Sequence, residues 1–167
     1  LKGKQTLDKE GEFWQSNPME TKAIWESCLK EAEKLIGEYM AQPDTWKTLD
    51  KLSQVLIDTY EKNGKVFTCG NGGSQCDAMH FAEEMTGRYR KDRRPLGSLA
   101  LGDASHVTCV SNDYGFEHIF SRQLEGLGRK GDVLLGLSTY GNSKNLLNAF
   151  ESAKKMGIYT IALLGKG

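Results

Sequence analysis

The sequence predicts a doubly wound α/β fold, a parallel sheet with helices on both faces, preceded by an N-terminal helical hairpin. Short apolar runs with the length and β-branched content of buried strands alternate with segments whose apolar residues recur at helical spacing. Two of these runs lead directly into turns rich in glycine and hydroxyl groups. Alternation of this kind is typical of βαβ units, and open α/β sheets bind their ligands at such turns.

Length and composition are those of one globular domain with a substantial core. The chain has 167 residues, of which 38% are hydrophobic and 26% charged. We expect residues 1–18 to form a polar N-terminal arm and residues 19–167 a single domain. The 22 basic residues balance the 22 acidic ones, which gives no electrostatic reason to expect nucleic acid or an anionic membrane as a partner.

Two further features favour a cytoplasmic protein. No apolar run is long enough to cross a membrane, and Leu1 to Asn17 lacks the apolar centre of a signal peptide. The cysteines form no CxxC pair, so we expect reduced core thiols rather than disulfides or a zinc knot. These cysteines are Cys28, Cys69, Cys76 and Cys109.

The helical hairpin precedes the first predicted strand. Its first helix spans Met19 to Gln42 and carries the apolar stripe Ile24, Cys28, Ala32, Leu35, Ile36 and Tyr39. Pro43 opens the second helix, which Asn63 and Gly64 end. The second stripe is Trp46, Leu49, Leu52, Leu56 and Tyr60. Two amphipathic helices outside a sheet need cover, so we expect at least a dimer.

The first predicted strand, Lys65 to Cys69, leads into a glycine turn and a helix. Gly70, Gly72 and Gly73 permit positive φ and close approach of a ligand, and Ser74 is placed to cap the helix. Free amide groups and the positive end of the helix dipole suit a phosphate. A plain tight turn is the alternative, because the spacing matches neither the dinucleotide fingerprint nor the P-loop.

Three more strand patterns follow, from Ser98 to Leu101, from Asp132 to Leu137 and from Ile158 to Leu164. Helical stripes separate the later strands: Phe116, Ile119, Phe120 and Leu124, then Leu146, Leu147 and Phe150. The charged run from Arg90 to Pro95 reads as a solvated loop, with guidance of an anionic substrate as the alternative.

A second turn strengthens the case for a phosphate site. Ser138 to Ser143 follows the strand at Asp132 to Leu137 and contains hydroxyl groups and a glycine. Because the carboxyl ends of parallel strands meet at one edge of a sheet, this turn should lie near the glycine turn. Together the two turns favour a phosphate or a phosphosugar as ligand.

His80 and Glu84 lie one helical turn apart on the helix that leaves the glycine turn. They are candidates for metal ligands or for an acid–base pair near the anion. The alternative is a surface hydrogen bond between the two side chains. Glu83 is expected to point elsewhere, as a solvated or interface charge.

Three segments together resemble the phosphoheptose isomerases of the sugar isomerase (SIS) domain family, which have a flavodoxin-like sheet. They are Cys69 to Tyr89, Ser111 to Phe116 and Ser138 to Ser143. The resemblance implies conversion of sedoheptulose 7-phosphate to D-glycero-D-manno-heptose 7-phosphate through a cis-enediol. It also implies a homotetramer in a bacterial cytoplasm that serves heptose and lipopolysaccharide synthesis.

The resemblance assigns roles to matching positions. It implies that Glu84 is the catalytic base and that His80 and Glu84 hold one zinc ion per subunit. It implies substrate contacts from two groups of residues: Asn71, Gly72, Gly73, Ser74, Arg88, Asn112 and Asp113, and then Ser138, Thr139, Tyr140 and Ser143. Ser74, Ser138, Thr139 and Ser143 would bind the phosphate, and Asn112 and Asp113 the sugar hydroxyls.

The sequence departs from the family at two places. Tyr140 stands where the family usually has serine, which changes the phosphate contact or the size of substrate accepted. The family also continues beyond the position of Gly167 with a strand and a helix that supply a Gln and a His. We therefore expect the domain to lack that strand and helix, which leaves the zinc site incomplete. A non-catalytic SIS module, either a phosphosugar sensor or a replication-initiation adaptor, is the alternative function.

Overall fold

The computed structural model describes residues 18–165, with side chains described from Thr21 onward. The chain divides into two compact units, one ending at Asp50 and one beginning at Lys51. The arm expected at residues 1–18 lies outside the described residues except for Pro18. A single domain over residues 19–167 stays a prediction.

The described part of the chain opens with two helices: α1 spans Pro18–Ala41 and α2 spans Thr45–Glu61. The apolar stripe of α1 is solvent-exposed, with Leu35 at 59% and Ile36 at 61% of full accessibility. Ion pairs at i,i+4 spacing support the polar face of α1, for example Lys34 Nζ to Glu38 Oε1 at 3.7 Å. After α2, Asn63 takes a left-handed conformation with φ 57°, which ends the helical path.

The second unit contains a four-stranded sheet whose order is β2-β1-β3-β4, with every pair parallel. Its strands are β1 Val66–Gly70, β2 Ser98–Ala100, β3 Val133–Ser138 and β4 Tyr159–Leu164. The connecting helices are α3 Gly73–Thr86, α4 Ala104–Asp113, α5 Ile119–Leu127 and α6 Lys144–Met156, and a 3₁₀ turn at Phe116–His118 precedes α5. The predicted fold class is confirmed.

The strand order reverses between β1 and β3. From β1 the chain moves outward to β2, and it then returns to β3 on the other side of β1. Doubly wound sheets bind ligands outside the carboxyl ends of the strands at this switch point. The loops after β1 and β3 are the two turns that the sequence singled out.

Apolar side chains cover both faces of the sheet. Along β1, Val66 belongs to one buried cluster and Phe67 to another, and along β3, Val133 and Leu134 divide in the same way. A strand buried on both faces reads as a continuous apolar run, which is why the sequence revealed these strands clearly. None of the helices between residues 18 and 165 combines the length and apolar character needed to cross a bilayer.

Asp132 helps to fix the register between β1 and β3. Its carboxylate is 2% exposed and accepts hydrogen bonds from the backbone N–H groups of Lys65 at 2.8 Å and Arg129 at 2.9 Å. The Lys65 ammonium lies 3.3 Å from the same carboxylate. Val66 then pairs with Val133 and Gly70 with Leu137, so the two turns start side by side.

Several predicted core positions are wrong. Phe116 is 54% exposed because it belongs to the 3₁₀ turn rather than to α5, and Leu147 is 45% exposed because it lies about 100° around α6 from buried Leu146. All four cysteines are free, but Cys28, Cys76 and Cys109 are exposed. Burial raises the pKa of the remaining thiol, Cys69, to about 12, so it stays protonated at neutral pH.

Candidate active site

The first turn brings the N-terminus of α3 against the end of β1. Gly72 is the residue before the helix, and its φ of 56° with ψ of −123° strongly favours glycine. Ser74 N–H donates to the Asn71 carbonyl at 3.1 Å and Gln75 N–H to the Gly72 carbonyl at 3.0 Å. The prediction that Ser74 caps α3 is wrong, because the helix starts one residue earlier and has no side-chain cap. The Ser74 side chain instead lines a cavity.

The second turn brings the N-terminus of α6 against the end of β3. Ser143 is the residue before α6 and makes no capping hydrogen bond through its side chain. Ser138 Oγ accepts a hydrogen bond from Gly141 N–H at 2.9 Å. The Ser138 oxygen therefore supports the turn, and its hydroxyl proton remains a donor for a ligand.

The two turns enclose a cavity of about 190 Å³, which we call the turn cavity. Its lining consists of Asn71, Ser74, Leu137, Ser138, Thr139, Tyr140 and Ser143. All of these except Leu137 are predicted substrate-binding residues, so six of the predicted residues line one cavity. The lining, as far as the structure describes it, contains no charged side chain. An anion here would be bound by neutral hydroxyl and amide donors and by two helix N-termini.

A reciprocal pair of amides joins the two turns. Asn71 Nδ2 donates to Asn145 Oδ1 at 3.0 Å, and Asn145 Nδ2 donates to Asn71 Oδ1 at 2.8 Å. Asn145 is 2% exposed, and sequence reasoning missed it. The available signal was its position directly before buried Leu146, since a polar side chain buried in a helix face needs a partner.

Gln75 connects the first turn to the neighbouring strand. Its Oε1 accepts from Gly70 N–H at 3.0 Å, and its Nε2 donates to the Leu101 carbonyl at 2.6 Å. Gly70 itself lies so close to α3 that a Cβ there would approach the Ser74 backbone to 2.6 Å. Gly70 is therefore required by helix–strand packing rather than by a ligand.

Further along α3, an imidazole and two carboxylates form a compact group. His80 Nε2 lies 3.5 Å from Glu84 Oε1 and 3.8 Å from Glu83 Oε1. One ligand atom from each of the three residues lies within 4.8 Å of the others. The expectation that Glu83 points elsewhere is wrong, because i,i+3 spacing also brings it to His80. Its side chain is nevertheless 66% exposed, whereas that of Glu84 is 28% exposed.

A cavity of about 370 Å³, the helix cavity, opens beside this group. Its lining consists of Asp77, His80, Phe81, Glu84, Met85 and Tyr89. Glu84 lies ten residues after Ser74 on the same helix, which is about 15 Å along the helix axis. The helix cavity and the turn cavity share no lining residue. Helix α3 thus carries the turn cavity at its N-terminal end and, further along, an imidazole–carboxylate group.

Five predicted substrate-binding residues are absent from the linings of both cavities. Arg88 is exposed beyond the end of α3. Asn112 and Asp113 are exposed at the end of α4, where Asn112 Nδ2 donates to Asp113 Oδ1 at 2.8 Å. Gly72 and Gly73 form the first turn and have open space in place of a side chain. The roles of all five stay predictions.

A protein-family model and a related protein of known name match most of this chain. A family model described as the SIS domain matches residues 30–165. A phosphoheptose isomerase of Histophilus somni (strain 2336) is 52% identical over 138 residues, which cover 83% of this chain and 71% of that protein.

Solved structures agree with the sequence comparison. A phosphoheptose isomerase structure from Neisseria gonorrhoeae superposes with a TM-score of 0.78 at 37% identity, covering 86% of this chain and 74% of that one. One from Francisella tularensis gives a TM-score of 0.80 at 32% identity, covering 88% and 78%.

Proposed function

This chain belongs to the phosphoheptose isomerase family of SIS domain proteins, and we propose that the two cavities along α3 divide the work of that reaction. The chain is an isomerase that converts sedoheptulose 7-phosphate to D-glycero-D-manno-heptose 7-phosphate. The phosphate is on C7, whereas the reacting carbons C1 and C2 are at the other end of the sugar. The candidate phosphate cavity and the acid–base group lie in the same order along one helix, and this observation carries the proposal.

The turn cavity would take the phosphate. Ser74, Ser138, Thr139 and Ser143 supply hydroxyl donors. Helices α3 and α6 both begin beside the same cavity, so the positive ends of their dipoles would favour an anion there. Several neutral donors converging on an anion can replace its hydration without a buried counter-ion. Tyr140 lines the same cavity and would make the contact that distinguishes this chain. We keep Arg88, Asn112 and Asp113 as proposed contacts to the sugar.

Glu84 would be the general base. Half-burial beside the helix cavity gives its carboxylate access to a ligand and limits its exposure to water. It would remove a proton from C1 of the ketose and return it to C2 through the cis-enediol, while a second proton passes from O1 to O2. The oxidation of C1 is balanced by the reduction of C2, so no external oxidant or reductant is needed.

The donor set beside the helix cavity fits zinc, which accepts imidazole nitrogen and carboxylate oxygen. His80 and Glu84 would hold the ion, and the group also has Glu83 within reach. Bound zinc would act as a Lewis acid toward the sugar carbonyl. These donors leave coordination positions for further ligands.

The proposed assembly is a homotetramer formed through α1 and α2, and its support is the exposed apolar stripe of α1. The proposed compartment is the bacterial cytoplasm, where the product would serve heptose and lipopolysaccharide synthesis. Four free cysteines are compatible with a reducing compartment. The non-catalytic sensor or adaptor is not favoured, because the related proteins are isomerases and an adaptor has no need of a base beside its sugar site.

The decisive experiment replaces Glu84 by Gln, which keeps the shape of the side chain and removes the basic oxygen. We expect turnover to fall by about two to four decades with the fold retained, and solvent deuterium to stop entering C1 or C2 in D2O. Glu151→Gln, an exposed carboxylate on α6, is the matched control. Undiminished exchange and isomerisation by Glu84→Gln would reject Glu84 as the base.

The metal assignment has its own test, which needs no activity. Zinc content measured on the purified protein should fall strongly in His80→Ala and stay at the parental level in His106→Ala, whose ring contacts the Ile119 carbonyl instead. An unchanged zinc content in His80→Ala would remove His80 from the site. Loss of zinc in Glu83→Gln, with retention in Glu84→Gln, would transfer the carboxylate role to Glu83.

A further inference from the structure

Asn145 is a polar side chain in the buried part of the second unit, on the first turn of α6. Its Oδ1 accepts hydrogen bonds from Asn71 Nδ2 at 3.0 Å and from the Leu146 backbone N–H at 2.9 Å. Its Nδ2 donates to Asn71 Oδ1 at 2.8 Å. The carboxamide therefore contacts its own helix and, 74 residues away along the chain, the first turn.

The same pair restricts Asn71. The Asn71 side chain uses its oxygen and one of its N–H groups on Asn145, so it is held in place rather than left to follow a ligand. The Asn71 backbone carbonyl in turn accepts the Ser74 N–H at 3.1 Å. A connection thus runs from α6 through Asn145 and Asn71 to the first turn of α3.

We propose that Asn145 is a positioning residue whose buried carboxamide, through Asn71, holds the first turn at the distance from the second turn that the phosphate requires. Asn145 does not line the turn cavity, whereas Asn71 does. The inference rests on the proposed function, because it assigns the pair to the phosphate end of the site.

The pair should behave as a unit because each amide is the other's partner, with Asn145 buried and Asn71 partly buried. Removing one amide leaves the other with an unsatisfied donor and acceptor, which then seek new partners and move the turn. A displacement of about 1 Å in a substrate-positioning segment can reduce catalytic efficiency about a hundredfold. The phosphate contacts exist in the ground state and in the transition state alike, so the loss should fall on KM.

The first measurement compares Asn145→Ala with Asn148→Ala. Asn148 lies three residues further along α6 and donates to the Glu117 carbonyl at 3.0 Å, away from the turn cavity. We expect Asn145→Ala to raise KM for the phosphosugar about ten- to a hundredfold, with kcat within about threefold of the parent. The inhibition constant of inorganic phosphate should rise by a similar factor. Asn148→Ala should leave both constants at the parental values.

A purely structural role would give a different pattern. Loss of folded protein lowers the apparent kcat and leaves KM unchanged, so that result would overturn the proposal. An equal KM in Asn145→Ala and Asn148→Ala would overturn it as well. Where Asn145→Ala does not fold, Asn145→Asp keeps the shape and the bond to Leu146 N–H while replacing the donor to Asn71. The same rise in KM is then expected.

A double-mutant cycle tests whether Asn145 acts through Asn71. If it does, the effect of Asn145→Ala on KM should shrink to less than about threefold in the Asn71→Ala background. Multiplying effects in Asn71→Ala/Asn145→Ala would show that the two residues act independently, which contradicts the proposal.

Hydrogen exchange separates this inference from the proposed function. The N–H groups of Ser74 and Gln75 are bonded to the Asn71 and Gly72 carbonyls, and they should exchange about tenfold faster in Asn145→Ala than in Asn148→Ala. Absence of isomerase activity in the parent protein would refute the proposed function, and the exchange rates would still decide the role of Asn145. Unchanged exchange at both amides would reject it.

Discussion

Tyr140 is the bulkiest side chain that lines the turn cavity, and it is 65% exposed. A serine at this position would place a small hydroxyl close to the backbone of the turn, whereas the phenol reaches its partners from further away. We expect Tyr140→Ser to bind sedoheptulose 7-phosphate about two- to tenfold more tightly, which is the effect of one neutral hydrogen bond. Calorimetric titration measures this change.

Two further variants complete the Tyr140 experiment. Ser138→Ala should weaken binding, since it removes a hydroxyl donor and the acceptor of the Gly141 N–H. Tyr159→Ser is the matched control, because Tyr159 is a partly exposed tyrosine at the opposite end of the strands. An unchanged affinity in Tyr140→Ser would show that the ring does not affect the phosphate contact.

Some residues of the candidate site could be predicted from the sequence and others could not. Hydroxyl and glycine residues of the two turns were predictable, because their chemistry and their place after strands are both visible locally. Asn145 was not, because its role depends on a partner 74 residues away. Glu83 was misjudged because i,i+3 and i,i+4 neighbours can both reach one imidazole.

Arg93 stabilises the end of the helix that carries His80 and Glu84. Its guanidinium donates to the Glu84 carbonyl at 2.6 Å and to the Met85 carbonyl at 2.9 Å. The last carbonyls of a helix lack intrahelical partners, and a cation there also interacts favourably with the helix dipole. Arg93 is thus a helix-capping group, which leaves it less available to guide an anionic substrate.

Replacement of Arg93 by Lys should therefore lower the free energy of unfolding by about 1–2 kcal/mol, because an ammonium cannot reproduce the planar pair of hydrogen bonds. Urea titration followed by circular dichroism measures the change. Arg90→Lys is the control, since Arg90 lies over the Tyr89 ring and is exposed. Equal stability of the two variants would show that the cap contributes little.

The sequence predicted whether most segments are helices or strands, but it predicted their first and last residues less accurately. The predicted strand from Lys65 to Cys69 is observed at Val66–Gly70, a shift of one residue. An apolar run shows that a strand exists, but its last hydrogen bond depends on the neighbouring strand. Helix α4 received no range of its own from the sequence, because its only fully buried residue is Val110 and it has no clear apolar stripe.

The exposed apolar stripe of α1 bears on the oligomeric state of the whole molecule. Ile36 of the stripe is 61% exposed in one protomer and the neighbouring Leu29 is 68% exposed, and such a surface favours association with another copy. Light scattering at micromolar concentration should give a multiple of 18.6 kDa, and Leu29→Glu should shift the mass toward one protomer. Lys30→Glu is the control for added charge. A monomeric parent would contradict the proposed assembly.

The order of the strands in the sheet could not be predicted from the sequence. A parallel sheet followed from alternating strand and helix patterns, but the order β2-β1-β3-β4 depends on pairings between distant segments. The residues of β1 and their sequence neighbours do not indicate that β1 lies between β2 and β3.

The position of β1 between those strands also affects how the chain folds during synthesis. Lys65, which leads into β1, meets Asp132 only after 67 more residues have been made. At about 5 to 20 residues per second, translation takes about 3 to 13 s to cover that interval. Through that time the apolar residues of β1 lack their β3 partners. The nascent chain is therefore a candidate substrate for chaperones at this stage, and pulse-chase protease sensitivity should fall sharply once β3 has left the ribosome.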